Sequence, residues 1–183
     1  MKAPDRPIVF RDRIDAACQL ARRLQAYRGR NPLVLAIPRG AVPMARSLAE
    51  ALQGDLDVVL VRKLGAPFQS ELAIGSVDES GWVYLAPHAA ATGADQEYIA
   101  AEKRRQMDVI RQRRTQYTPV RQRHPARLVC AVPVSSPEAL DMVRPLADEV
   151  LCLQAPADFR AVGQFYRDFA QVEDDEVVAL LKP

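Results

Sequence analysis

Cysteine is scarce and scattered. Cys18, Cys130 and Cys152 are the only three in 183 residues, an odd number with no paired CxxC spacing. They read as small apolar residues in a reducing compartment, with neither a disulfide framework nor a zinc site. Histidine is scarcer still. His124 lies in a polar Arg-His-Pro loop and His88 is its only companion, so neither is a good ligand or base candidate and no metal site is expected. No stretch approaches 18 apolar residues, and the opening MKAPDRPIVFRDRIDAA lacks the apolar core of a secretion signal. A cytoplasmic protein that neither spans nor crosses a membrane is the expectation. A strong charge of one sign is also missing. The net charge is +2, which gives no global argument for nucleic acid. No internal repeat or low-complexity tract is visible.

What is present is an ordinary globular composition, 49% hydrophobic and 26% charged, at a length that fits one domain over residues 1–183. Its organising stretch is 33–45, LVLAIPRGAVPMA. An apolar run stops at Pro38-Arg39-Gly40, and small apolar residues resume at helical spacing from Val42. A buried parallel strand ending in a tight turn that opens a helix has this pattern. Free backbone N–H groups and the positive end of a helix dipole converge at such a turn, which suits an anion. Arg39 adds a forked guanidinium that matches phosphate oxygens. The plainer alternative is a surface loop whose arginine is merely solvated.

Around this stretch the spacing predicts an α/β order. Residues 11–28 place Ile14, Ala17, Cys18, Ala21 and Leu24 on one helical stripe, with Asp12 as cap and Gly29 as stop. Val42, Ala45, Leu48, Ala49 and Leu52 continue as a second helix, closed by Gly54. A strand over 56–61 then completes a βαβ unit with a right-handed crossover. Residues 65–94 are expected to hold a polar, mobile loop (65–71) and a hairpin whose turn is Asp78-Glu79-Ser80-Gly81. A helix follows from Asp95 to about Tyr117. Its best stripe (Ile99, Lys103, Gln106, Ile110, Arg113, Tyr117) is half apolar, so a helix that is largely exposed or packs through few contacts is expected. Strands at 128–134 and 150–153 flank a helix capped by Ser136, with Pro137 at its first position. The segment 155–183 concentrates aromatics between Phe159 and Phe169 and ends in a helix over 174–181. Those aromatics either line a planar-ligand pocket or pack over the end of a sheet.

Residues 103–127 carry nine Lys or Arg against one acid, Asp108. With no aromatic interleaving beyond Tyr117 and no recognition module, a solvated face is the plainer reading and nucleic acid is not an expected partner. An RNA-binding face is the alternative.

Taken in order, FRDRIDAACQLARRL, LVLAIPRGAVPMA, LDVVLVRKLGAPFQSELAIGSVDESG, RLVCAVPVSSPEAL and DFRAVGQFYRDFAQVEDDEVVALL resemble the type I phosphoribosyltransferase family, in particular its small stand-alone bacterial branch. The resemblance covers nearly all of the chain except residues 1–9 and 86–125. It implies a Rossmann-like, mainly parallel sheet flanked by helices, with a β-hairpin insertion and an active site at the carboxyl ends of the strands. It also implies that Arg39, Gly40 and Ala41 hold the pyrophosphate of phosphoribosyl pyrophosphate (PRPP) through backbone amides. Arg62 and Lys63 would be supporting cations. Gly65, Ser70 and Glu71 would belong to a flexible loop closing over the reacting sugar, and Phe159, Phe165 and Tyr166 would cover the acceptor base. Mg²⁺ would accompany PRPP or pyrophosphate. Ala41 stands where relatives often have a second glycine, which slightly hinders close backbone approach.

One family motif is missing. An apolar strand ending in two acids, a Gly/Thr-rich turn and a helix should stand between the basic helix and the strand at Leu128. There the acids would clamp the ribose and the turn would cradle the 5′-phosphate. Instead Tyr117-Thr118-Pro119-Val120 runs directly into Arg121-Gln122-Arg123-His124-Pro125, so one whole βα unit is read as deleted, with the junction near Pro119. The strand at Leu33 must then pair with that at Leu128 or leave an open edge, and an open apolar edge invites dimerisation. Three readings follow. One is a family member that binds a pyrophosphate or phosphoribosyl ligand weakly and is catalytically impaired. Another is an active transferase moving 5-phosphoribosyl from Mg²⁺–PRPP to a nitrogenous base, with a segment lost from the sequence as read. The third is a non-catalytic interaction or RNA-binding protein using residues 103–127. No general base and no metal ligand is assigned.

Overall fold

Side-chain caps start several helices where the sequence places them. The computed structural model describes residues 10–116 and 126–182. Asp12 accepts from the Asp15 backbone N–H at 2.8 Å and opens α1 (Arg13–Arg23). The stripe of α1 is rotated from the predicted one. Ala16, Ala17, Leu20, Ala21 and Leu24 are buried, whereas Ile14 and Cys18 face outward. The helix also stops short of residue 28, in a 3₁₀ turn at Gln25–Tyr27 before Gly29 at φ 73°.

β1 (Leu33–Ala36) runs parallel to β2 (Asp55–Val58), joined by α2 (Val42–Leu52). All five predicted apolar positions of α2 are buried. Its end differs, because Gln53 and not Gly54 takes the left-handed conformation, at φ 56°. Gly54 serves a close approach instead: a Cβ there would stand 2.1 Å from the Pro32 carbonyl oxygen.

The expected strand over 56–61 is broken after β2. β3 (Val61–Ala66) pairs antiparallel with β4 (Gln69–Asp78), which pairs antiparallel with β5 (Val83–Leu85). The expected mobile loop at 65–71 is therefore a hairpin that turns at Pro67 and Phe68. Gly65 reads locally as a turn residue, but the hairpin needs it for contact: its Cβ would lie 2.8 Å from the Ser70 carbonyl oxygen. The second predicted turn forms with Gly81 at φ 85°.

α3 (Gln96–Gln116) begins at Asp95, which accepts from the Tyr98 backbone N–H at 2.7 Å. As its half-apolar stripe suggests, it packs through few contacts, and Glu102 and Ile110 are its buried residues among those described. Ile110 is buried and Tyr98, Ile99 and Met107 pack beside it. Polar positions of the helix are satisfied by β3 and by the turn after β4: Arg62 Nε donates to Gln106 at 3.0 Å, and Arg114 Nε donates to Glu79 at 2.8 Å. Tyr117 through Pro125, with His124, the expected junction and part of the basic run, lie outside the described residues.

β6 (Val129–Val134) and β7 (Glu149–Gln154) form a second parallel pair around α4 (Pro137–Val143), where Ser136 accepts from the Ala139 N–H at 3.2 Å. α5 (Asp174–Leu181) matches its predicted span. The result is a mixed α/β fold with parallel sheets flanked by helices and an antiparallel insertion.

Among the described residues β1 and β6 share no ladder, so the parallel strands form two separate pairs. The carbonyls of Pro32 and Ala36 accept from Asp55 and Val59, so the backbone groups of Leu33 and Leu35 point to the opposite, open edge. α1 bridges the pairs. Leu20 and Leu24 pack with Leu48 of α2, Val34 of β1, and Val129, Ala131, Leu151 and Leu153 of the second pair. On the other face Leu35 is 44% exposed and Ile37, just beyond the strand, 58% exposed.

Candidate anion site at the end of β1

The turn after β1 delivers its backbone to the start of α2. Val42 N–H donates to the Arg39 carbonyl at 3.0 Å and Ala45 N–H to the Ala41 carbonyl at 2.9 Å. Ala41 occupies the cap position and offers no side-chain acceptor, while Pro43 sits in the first turn. The positive end of α2 is thus left to whatever stands before it. Arg39, Gly40 and Ala41 form the turn itself, directly before α2.

Two residues that sequence reasoning missed complete this corner. Arg13, in the first turn of α1, has Nη2 3.5 Å from where a Gly40 Cβ would be. It donates through Nη1 to the Ala170 carbonyl at 2.8 Å and lies 4.0 Å over the Phe169 ring. Its Nε is buried with no hydrogen-bond partner. Glu173, just before α5, pairs with Arg39 at 2.9 Å. Nothing local in the sequence links positions 13, 39 and 173. A cleft of about 150 Å³ opens at Arg13, lined also by Asp12, Pro43, Asp168, Gln171 and Glu176 but not by Arg39 or Glu173.

The other candidates lie elsewhere. Arg62 is turned to α3, and burial and the nearby Arg113, partly offset by Glu102, lower its basicity. Lys63 pairs with Glu71 at 2.9 Å across the β3–β4 hairpin, near Gly65 and Ser70. Phe165 and Tyr166 are buried in a core cluster with Phe10, and Phe159 stacks on Phe165 with ring centroids 5.8 Å apart. The chain passes Phe10 beside them, with Phe10 N–H donating to the Phe165 carbonyl at 2.8 Å. These aromatics therefore pack as core, and burial pushes the Tyr166 phenol up to about 12. His88 contacts the Ala73 carbonyl oxygen at 3.0 Å. Among the described residues no group of three or more His, Cys, Asp or Glu side chains could hold a metal ion, and no helix is long and apolar enough to cross a membrane.

No family profile matches the chain. Two curated sequences from Mycobacterium tuberculosis strains, named "Putative phosphoribosyl transferase MT0597" and "Putative phosphoribosyl transferase Rv0571c", are each 38% identical to it over 205 positions, covering 94% of this chain. Their similarity supports the phosphoribosyltransferase family. The chain spans about half the length of these curated relatives, 46% of each. The crystal structure of TT1426 from Thermus thermophilus superposes with a TM-score of 0.76 at 39% identity, over 95% of this chain and 98% of that one.

Proposed function

We propose that this chain is a phosphoribosyltransferase domain short of one βα unit. It holds pyrophosphate, or the pyrophosphate end of PRPP, weakly at the 39–42 turn and is impaired in moving the sugar. The observation that carries this reading is that β1 and β6 share no ladder among the described residues. Only positions 117–128 separate α3 from β6. A strand and a helix of ordinary length take roughly 17 residues together. The alignment with the mycobacterial relatives has 205 positions against 183 residues here, so it must open gaps in this chain.

The absent unit would carry the ribose clamp and the 5′-phosphate cradle. Each lost charge-assisted hydrogen bond weakens binding by about 1.5–3 kcal/mol, so losing two or three lowers PRPP affinity by orders of magnitude. What remains is the positive end of α2 and the Arg39 guanidinium. Both suit pyrophosphate, and a Mg²⁺ ion would arrive on the ligand's own oxygens. Calorimetric titration with Mg²⁺–pyrophosphate and Mg²⁺–PRPP tests the reading. Weak pyrophosphate binding that disappears in Arg39→Ala, without PRPP turnover, is expected. Micromolar PRPP binding with release of pyrophosphate would overturn it.

The open edges of both β1 and β6 also favour a second reading, an active transferase whose strand was lost from the sequence as read. Resequencing the gene across codons 117–127 decides between them. A deletion or frameshift found there predicts that the restored protein turns PRPP over.

A further inference from the structure

The guanidinium at the centre of the candidate site already has an anionic partner. Glu173 Oε2 stands 2.9 Å from Arg39 Nη1. The second carboxylate oxygen, Oε1, accepts from the Gln171 side-chain amide at 2.7 Å, so two exposed hydrogen bonds must break for the carboxylate to leave. The backbone that carries it is anchored. Val172 and Val177 are buried on either side, and Arg13 holds the Ala170 carbonyl at 2.8 Å. The side chain itself is not anchored in this way: Glu173 is 65% exposed, whereas Arg39 is 29% exposed. A rotation about the Glu173 side chain alone would take the carboxylate into water and leave Arg39 in place.

We propose that Glu173 is an internal competitor for the anion site, and that a ligand enters by displacing its carboxylate from Arg39. This rests on the reading of the 39–42 turn as a phosphate site. A carboxylate presents one negative charge, and an exposed pair of this kind is weak and screened by salt. Pyrophosphate, or the pyrophosphate end of a phosphoribosyl ligand, presents several charges to the same fork and to the positive end of α2. It displaces Glu173 where a singly charged anion does not. Glu173 therefore acts as a threshold that selects polyanions.

Pyrophosphate and acetate titrations of the full chain test this, using wild type, Glu173→Gln, Asp175→Asn and Arg39→Ala, with thermal melts to check folding. Asp175 is exposed on the first turn of α5 and carries the same charge. Glu173→Gln should bind pyrophosphate about two- to fivefold more tightly than wild type. It should also gain measurable acetate binding. Asp175→Asn should stay near wild type, and Arg39→Ala should lose binding whether or not Glu173 is changed. No gain in Glu173→Gln, or an equal gain in Asp175→Asn, overturns the inference, and a loss of binding in Arg39→Ala would then leave the phosphate-site reading standing. Wild-type affinity in Arg39→Ala overturns both.

Discussion

Glu102 shows how one side chain inside a basic helix can face the core. Burial opposes its ionisation, but hydrogen bonds from Arg105 and Gln106 outweigh that and hold its carboxyl below the usual range. A group depressed in the folded state stabilises above its unfolded pKa, near 4.3 for glutamate, and that contribution is lost as pH falls through the folded value. Glu102→Gln should cost about 1 kcal/mol at neutral pH. It should also flatten the fall in melting temperature as the pH drops below about 4, and thermal melts against pH read both effects. A wild-type acid dependence in the variant would show that Glu102 is not a source of that slope. The charge count over 103–127 could not reveal this, because Glu102 lies one residue outside the run. The acids paired with Arg114, Asp57 and Glu79, come from distant strands and turns.

At the scale of elements, α3 is tied to the rest of the fold through Arg114. It pairs with Asp57 and Glu79 and donates to the Val58 carbonyl at 3.0 Å. Burial, and to a lesser degree the neighbouring Glu79, hold the Asp57 carboxyl above its usual range even though the Val58 N–H and Arg114 oppose this. Arg114→Ala should therefore destabilise by about 2 kcal/mol at neutral pH, measured by urea unfolding, and by less in acid, where Asp57 is protonated and needs no counter-charge. Elements whose signals are local were legible in advance. Asp12, Asp95 and Ser136 cap helices within three residues of their own position, and the α2 stripe has one dominant period. The hairpin at 61–78 was not legible, because Gly65, Pro67 and Phe68 carry the composition of a loop and only cross-strand pairing makes them a ladder. The aromatics around Phe165 were ambiguous for the same reason: their partner, Phe10, is far away in sequence.

For the whole molecule, the resemblance read from sequence anticipated the parallel strand pairs, the antiparallel insertion and the tight turn between β1 and α2. It could not say whether β1 and β6 would close on each other, since no local signal decides between two distant edges. They stay apart, and the open edge of β1 carries an exposed Leu35. We expect concentration-dependent self-association in sedimentation velocity, suppressed by Leu35→Lys, a standard way to blunt a strand edge. A chain that stays monomeric at all accessible concentrations would argue that this edge is covered from within. The Arg39–Glu173 pair was equally out of reach of sequence analysis, because its partners meet only when α5 docks on α2.

The separation of the two parallel pairs also bears on how the chain reaches its native state. Each ladder joins strands that follow one another in the chain: β1 with β2, β3 with β4 and β5, β6 with β7. Loop-closure entropy within each ladder is accordingly modest, and the sheets can form early and independently. The long-distance work falls to α1, which must find both halves, and to the Phe10–Tyr166 bridge. In native-state hydrogen exchange the two halves can then behave as separate cooperative units, with α1 as the joint whose opening releases one from the other.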